Sequence, residues 1–167
     1  SGHVGSVIAV ELLSAKQRIK VIVRDAAKGA AWSSKGAEVA VGSIDDVAFL
    51  TGALEGAQAF FTLLPPDFGP TDFFGAQKHK ADAIAAAVRA AGTPHVVLLS
   101  SVGADLPSGN GPVKGLHYLE NALRAAGTKL TALRAGFFQE NVVGTIAAAR
   151  NAGIVPSFAP ADVAMPM

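Results

Sequence analysis

Short apolar runs alternate along the whole chain with segments whose apolar residues recur at helical spacing. Val4, Ile8 and Leu12 share one helical face, and the polar Lys16-Gln17-Arg18 separates them from Ile19-Lys20-Val21-Ile22-Val23, which reads as a strand. Glu38 to Val41 reads as a short strand and Ile44 to Leu54 as a helix opened by acidic residues. Ala57 to Leu64 reads as a strand buried on both faces and ended by Pro65-Pro66. A long helix is predicted over Thr71 to Ala91, with Ala81, Ile84, Val88 and Ala91 on one face and Gly92 as its stop. The strand Val96-Val97-Leu98-Leu99 follows and ends at Ser100-Ser101. A loop rich in Gly, Pro, Ser and Asn from Gly103 to Pro112 leads to a helix carrying Leu116, Leu119 and Leu123. Leu130 to Leu133 supplies one more strand, and a helix over about Val142 to Ala152 closes the pattern. Alternation of this kind predicts an α/β fold, a doubly wound parallel sheet of the Rossmann-like kind with helices on both faces. There is no fixed-period repeat.

The chain opens on Ser1-Gly2-His3-Val4-Gly5, which reads as the second half of a glycine-rich dinucleotide fingerprint running into the first helix. In such a turn the glycines permit a tight bend, a close backbone approach to the pyrophosphate and close helix packing. That reading assigns Gly2, His3, Val4 and Gly5 to cofactor binding; a flexible terminus before a helix is the plainer alternative. The strand that precedes such glycines is not among these residues, so we expect the natural polypeptide to extend upstream by a short buried strand and the rest of the turn. At the other end, Ile154 to Met167 is punctuated by prolines and completes no element. We therefore divide the chain into residues 1–153, a nucleotide-binding domain lacking its first strand, and residues 154–167, the start of an incomplete C-terminal substrate region.

Composition narrows the classes further. Half of the 167 residues are hydrophobic and 16% are charged, which argues against disorder, and no apolar run reaches the ~20 residues needed to span a bilayer. A net charge of +1 gives no electrostatic case for nucleic acid or an anionic membrane, and no secretory signal opens the sequence, so the expected setting is cytoplasmic. The absence of cysteine excludes disulfides, thiolate catalysis and cysteine-ligated metals. His3, His79, His95 and His117 are too dispersed to form a legible metal site, and none is expected.

Several motifs in order along the chain carry a resemblance. Ser1 to Gly5, the strand ending Val23-Arg24, Leu63-Leu64-Pro65-Pro66, Val97-Leu98-Leu99-Ser100-Ser101, His117-Tyr118-Leu119-Glu120 and the stretch Leu133 to Asn141 fall on successive predicted strand ends or the helix between them. Ligands of open α/β sheets bind at the carboxyl ends of strands. Together these segments resemble the NmrA-like atypical short-chain dehydrogenases/reductases, over nearly the entire chain. The resemblance implies NAD(P) binding, with Gly42-Ser43-Ile44 beside the adenine, although Ser43 stands where the family often has an acid. It also implies that Leu64, Pro65 and Ser100 border the cofactor.

Arg24 lies nineteen residues after Gly5, at the end of a strand, where NAD binders place an acid on the ribose 2′-hydroxyl and NADP binders favour arginine. A guanidinium pairs bidentately with a 2′-phosphate and Lys28 adds a second charge, so NADP(H) is the expected cofactor with NAD(H) as the lesser choice. Asp25, adjacent, complicates that preference.

The catalytic group stays open. Ser101 resembles, with Ser100, the position from which short-chain reductases offer a hydroxyl near the nicotinamide, while serines ending a strand are also common turn residues. The usual partner is a tyrosine four residues before a lysine, whose charge lowers the phenol pKa. Here Tyr118 is followed at that spacing by Ala122, and Lys114 lies four residues before it. His117 is an alternative proton donor that Glu120, one turn on, would orient; the plainer reading pairs Glu120 with Arg124 on a solvated face. Lys78-His79-Lys80 reads as another solvated face. Phe137 and Phe138 either cover the nicotinamide side of a cleft or join the core. Three functions remain: an NADPH-dependent reductase of a quinone or other small carbonyl-like acceptor, a cofactor-binding sensor acting on a regulatory protein partner without turnover, and a structural module without cofactor.

Overall fold

In the computed structural model, which describes residues 2–67 and 69–154, strands and helices alternate in the order α1 (His3–Ser14), β1 (Lys20–Val23), α2 (Ala26–Ser33), β2 (Glu38–Val41), α3 (Val47–Leu54), β3 (Phe60–Leu63), α4 (Phe73–Ala91), β4 (His95–Ser101), α5 (Lys114–Ala125), β5 (Lys129–Ala135) and α6 (Ile146–Ala152). Short 3-10 turns at Gly111–Val113 and Gln139–Thr145 precede α5 and α6. The expected α/β architecture is present, and every strand pairing is parallel.

The strands fall into two sheets, β1-β2 and β3-β4-β5, with no ladder between them among the described residues. Each of β1 and β3 thus keeps one edge unpaired. Both sheets nevertheless share helical cover on opposite faces, because side chains alternate along a strand. Val21 and Val23 of β1 pack with Ala9 and Leu13 of α1, Trp32 of α2 and Ala37. Ile22, pointing the other way, packs against the larger core built from Leu50 and Leu54 of α3, Ala81, Ile84 and Val88 of α4, Val96 and Leu98 of β4, and Leu119 and Leu123 of α5. Helices on both faces of β1 are the doubly wound arrangement.

Register decides what reaches the working end. Thr62, Leu98 and Ala132 lie side by side across β3, β4 and β5, so Leu63, Leu99 and Leu133 are level, and Leu64-Pro65, Ser100-Ser101 and Arg134-Ala135 emerge along one rim. Val23 and Val41 are likewise level at the ends of β1 and β2.

Three aspartates open helices that follow strands. The carboxylate of Asp25 accepts from the amide of Ala27 at 2.9 Å, that of Asp46 from Phe49 at 3.0 Å, and that of Asp72 from Gly75 at 2.7 Å. Each meets an amide that the first helical turn leaves without a partner. Gly92 ends α4 in the left-handed conformation at φ 62°, which a side chain would strain.

Local differences from the expected elements have identifiable causes. The helix α2 was not visible in the hydrophobic pattern, because Ala26 to Ser33 presents alanines and a glycine instead of an apolar stripe. Its buried Gly29 lets the helix lie close to the sheet: a Cβ there would stand 2.8 Å from Cγ1 of Val39. The helix expected from Ile44 begins at Val47 because Asp46 caps it. The strand expected from Ala57 begins at Phe60, β4 begins one residue early at His95 and ends at Ser101 as expected, β5 runs longer at both ends than Leu130 to Leu133, and the helix expected over 142–152 is divided into a 3-10 turn and α6. The proposed region 154–167 lies outside the described residues except for Ile154, as does Ser1.

Candidate functional site

The first rim is built by α1 and the end of β1. Gly2 is the extended N-cap of α1, and among the described residues no side chain accepts from the first-turn amides of His3, Val4 and Gly5. Ser6 turns away from them, its hydroxyl donating to the carbonyls of Gly2 and His3 at 2.8 and 2.9 Å. A Cβ added at Gly2 or Gly5 would meet no described atom within 4 Å. Open amides at the positive end of a helix suit an anion.

Arg24 follows β1 and is exposed, as is Lys28 on α2. Neither has an ion pair among the described residues. Asp25 caps α2 through Oδ1. After β2, Gly42 receives the Phe49 ring so closely that a Cβ would stand 2.6 Å from it. Ser43 is half-buried with its hydroxyl 3.4 Å from the amide of Asp45, and Ile44 packs against the main core.

The second rim lies across β3, β4 and β5. Leu64 is buried and Pro65 half-buried. Ser101, Val102, Ala135, Gly136, Phe137, Phe138 and Asn141 line an open cleft of ≈ 370 Å³ past the ends of β4 and β5. Phe137 and Phe138 are 38% and 41% exposed, which makes them cleft walls and not core. The two serines diverge. Ser101 lines the cleft and donates to the carbonyl of Val102 at 3.1 Å, whereas Ser100 is buried and donates to Oε1 of Glu120 at 2.7 Å.

Glu120 is the centre of that rim and only 1% exposed. Arg134 grips it with two bonds, Nε to Oε1 at 3.1 Å and Nη2 to Oε2 at 2.8 Å, and Arg124 adds Nη2 to Oε2 at 2.8 Å. Burial pushes this carboxyl up, but hydrogen bonds from Arg134, Ser100 and Arg124 outweigh it and hold the group at about 2. Arg134 also faces Asp105 at 3.7 Å. The expected surface pair of Glu120 and Arg124 is thus half of a buried clamp. The other half, Arg134, was missed because it comes from a strand fourteen residues on; a charged residue ending an otherwise apolar strand was the available signal.

His117 and Tyr118 do not meet as a relay. Nδ1 of His117 lies 2.8 Å from the carbonyl of Ala104 and its Nε2 lies 3.1 Å from Nδ2 of Asn121, so Asn121 and Ala104, and not Glu120, orient the ring. Tyr118 reaches across to α4, where its hydroxyl donates to Asp82 at 2.6 Å. Lys78 bonds the same carboxylate at 2.7 Å and stands 4.9 Å from the centre of the Tyr118 ring. Asp82 first and Tyr118 second raise the Lys78 pKa, and Lys78 followed by Tyr118 lowers that of Asp82. Lys114 sits 4.3 Å over the ring of Phe74 and serves no phenol. On the face read as solvated, Lys78 is held by Asp82 and Lys80 is largely covered, 3.5 Å from Asp67. Among the described residues no three His, Asp or Glu side chains gather as a metal-ligand group, and no helix is long and apolar enough to cross a membrane.

These residues fit a dinucleotide: open amides for a pyrophosphate, a free guanidinium at the end of the next strand, and a cleft at the far rim. An NAD(P)H azoreductase of Xenophilus azovorans is 29% identical over 158 residues, which are 92% of this chain and 51% of that protein. The NADPH-dependent quinone oxidoreductase of Escherichia coli, solved with NADPH, superposes with a TM-score of 0.73 at 27% identity over 87% of this chain and 50% of the other. The triphenylmethane reductase of Citrobacter sp., solved with NADP(H), shares the fold with a TM-score of 0.75 at 20% identity over 89% of this chain and 53% of the other. The chain spans about half the length of these relatives. The sequence pattern of the NAD(P)H-binding family matches residues 1–165, and the chain belongs to that family, in its NmrA-like, atypical short-chain dehydrogenase/reductase group.

Proposed function

We propose that the protein is an NADPH-dependent reductase whose acceptor is a quinone or a similarly flat, conjugated, carbonyl-like or azo compound. The observation that carries this reading is the cleft past the carboxyl ends of β4 and β5, walled by the exposed rings of Phe137 and Phe138. Two rings standing free at the end of a parallel sheet offer stacking surface to a planar acceptor. The azo and quinone chemistry named for two relatives supports the choice of acceptor class.

In this reading the first-turn amides of α1 hold the pyrophosphate, and Arg24, with Lys28 beside it, pairs with the 2′-phosphate. Bound NADPH supplies the hydride. The chain orients cofactor and acceptor and shields one face with the two phenylalanines. Ser101 offers its hydroxyl to the cleft, and an acceptor such as a quinone, having received the hydride, takes the one further proton it needs from solvent through the open mouth. Tyr118, occupied with Asp82, takes no part.

The experiment is an assay of NADPH oxidation by the natural full-length protein against quinones, azo dyes, aldehydes and imines. Turnover with quinone or azo acceptors is the expected result. The second reading, a sensor that binds NADPH and acts on a protein partner in the cytoplasm, is favoured by the engagement of Tyr118 away from the cleft, and tight binding with no acceptor reduced would select it. Arg24→Ala is expected to weaken NADPH about ten- to hundredfold and leave NADH nearly unchanged, since charge-assisted hydrogen bonds contribute ~1.5–3 kcal/mol. Equal losses for both would place Arg24 elsewhere.

A further inference from the structure

The loop of residues 102–110 runs from the end of β4 to the turn before α5, and its first residue, Val102, lines the cleft. Asn110 ties the loop to itself, its Nδ2 donating to the carbonyls of Gly103 and Leu106 at 3.0 and 2.8 Å. Two further attachments lead from the loop to Glu120. One is the Arg134–Asp105 ion pair at 3.7 Å. The other is a chain of hydrogen bonds along α5: Nη1 of Arg124 to Oδ1 of Asn121 at 3.2 Å, Nδ2 of Asn121 to Nε2 of His117 at 3.1 Å, and Nδ1 of His117 to the carbonyl of Ala104 at 2.8 Å.

That chain has only one direction. A guanidinium can only donate, so Asn121 must accept from Arg124 with its carbonyl oxygen and present its NH₂ group to His117. Nε2 of His117 must then accept, which leaves the ring proton on Nδ1. At the far end the carbonyl of Ala104 can only accept, which demands the same proton. Arg124 is itself held by Glu120, and the side chain of Ala104 is buried at 1% exposure, so both ends of the chain are anchored.

We infer that His117 is a positioning residue: its neutral ring, fixed as the Nδ1–H tautomer by Arg124 and Asn121, holds the Ala104 backbone and thereby sets the place of Val102 and the fit of the acceptor in the cleft. The consequence for the acceptor rests on the reductase reading above; the tautomer and the loop position do not.

Two measurements on the natural full-length protein test it. Long-range ¹H–¹⁵N NMR of His117 at neutral pH is expected to show a protonated Nδ1 and a bare Nε2, the reverse of the tautomer that free imidazole side chains prefer in water. Asn121→Leu, which leaves only the Ala104 carbonyl to favour Nδ1–H, should raise the share of Nε2–H and shift the amide signals of Val102 to Asp105. A wild-type ring protonated on Nε2, or loop signals indifferent to Asn121→Leu, overturns the inference. The second measurement is kinetic, with NADPH and 1,4-benzoquinone. Removing one positioning hydrogen bond in His117→Leu should raise the quinone KM about tenfold while the NADPH Kd stays within about twofold. His117→Asn, which places an amide N–H where Nδ1–H stood, should recover the KM to within about threefold. An unchanged quinone KM in His117→Leu overturns the inference, and so does a loss of NADPH affinity that His117→Asn does not repair. A wild-type protein that never oxidises NADPH, yet shows the Nδ1–H ring and its dependence on Asn121, sinks the reductase reading and leaves the positioning role intact.

Discussion

Glu120 shows how far a single residue departs from what its neighbours in sequence suggest. Next to Arg124 in a helix it reads as half of a solvated pair, contributing a few tenths of a kcal/mol. Packing of α5 against β4 and β5 buries it instead and brings Arg134 and Ser100 onto the same carboxylate. Glu120→Gln is therefore expected to destabilise the protein by about 2 kcal/mol, below the range for fully buried pairs because both arginines keep contact with water. The pH dependence has a definite sign. The folded carboxyl sits at about 2 and an unfolded glutamate near ~4.3, so the stabilisation is complete above the unfolded value and is lost as pH falls through the folded one. Urea midpoints of wild type and variant should stay equally separated from pH ~7 to ~5 and converge as pH drops toward ~2.5; a separation that persists there would contradict the clamp. Tyr118 is the opposite case, a residue whose motif suggests chemistry and whose hydroxyl is spent on Asp82. Tyr118→Phe should leave turnover within about twofold, and a thousandfold fall in kcat, equivalent to about 4 kcal/mol, would restore it to the reaction.

At the scale of elements, the strands were legible because strands of a parallel sheet are short, nearly continuous apolar runs, even at the more exposed β2 and β5. Their ends were less so. β4 ends at Ser100-Ser101 as expected, but β5 continues past Leu133 through Arg134, since register with the neighbouring strand, and not hydrophobicity, keeps a polar residue in the ladder. The missed helix α2 was the clearest loss, and the clue to it was Asp25. Read beside Arg24, that aspartate looked like a rival ligand for the ribose; in the structure it accepts from the Ala27 amide and starts the helix. The two roles have different consequences. As a cap, Asp25→Ala should cost ~1 kcal/mol of stability and leave the ratio of NADPH to NADH affinity unchanged. A change of cofactor preference in that variant would return Asp25 to the binding site. Of the candidate site, the positions on strand ends were legible from the rule that ligands gather there, whereas the directions of side chains were not. Ser100 and Ser101 are neighbours in sequence, and the alternation of a strand sends one to Glu120 and the other to the cleft.

For the whole molecule, the three functions that the sequence left open separate at the level of linkage between binding and stability. A ligand that binds only the folded state stabilises it by RT ln(1 + [L]/Kd), which is ≈ 2.7 kcal/mol at a hundred times Kd. For a chain of this size each kcal/mol raises Tm by roughly 2–4 °C. With NADPH at a hundred times its Kd, a chain of 167 residues should therefore melt some ~5–10 °C higher than without it, and a longer one by proportionately less. If Arg24→Ala weakens NADPH about thirtyfold, the same concentration is only about three times the new Kd, and the stabilisation falls to about 0.9 kcal/mol, a shift of ~2–4 °C. NADH at a hundred times its own Kd should give equal shifts in the two proteins, because it carries no 2′-phosphate for Arg24 to hold. This pattern needs no acceptor, so it stands apart from turnover. A structural module without cofactor predicts no shift with either nucleotide, while reductase and sensor both predict the full set. The choice between those two then depends on the cleft walled by Phe137 and Phe138, where only a reductase loses turnover at unchanged NADPH-induced stabilisation when both rings are replaced by alanine. Retained quinone turnover in that double variant would move the acceptor away from this rim.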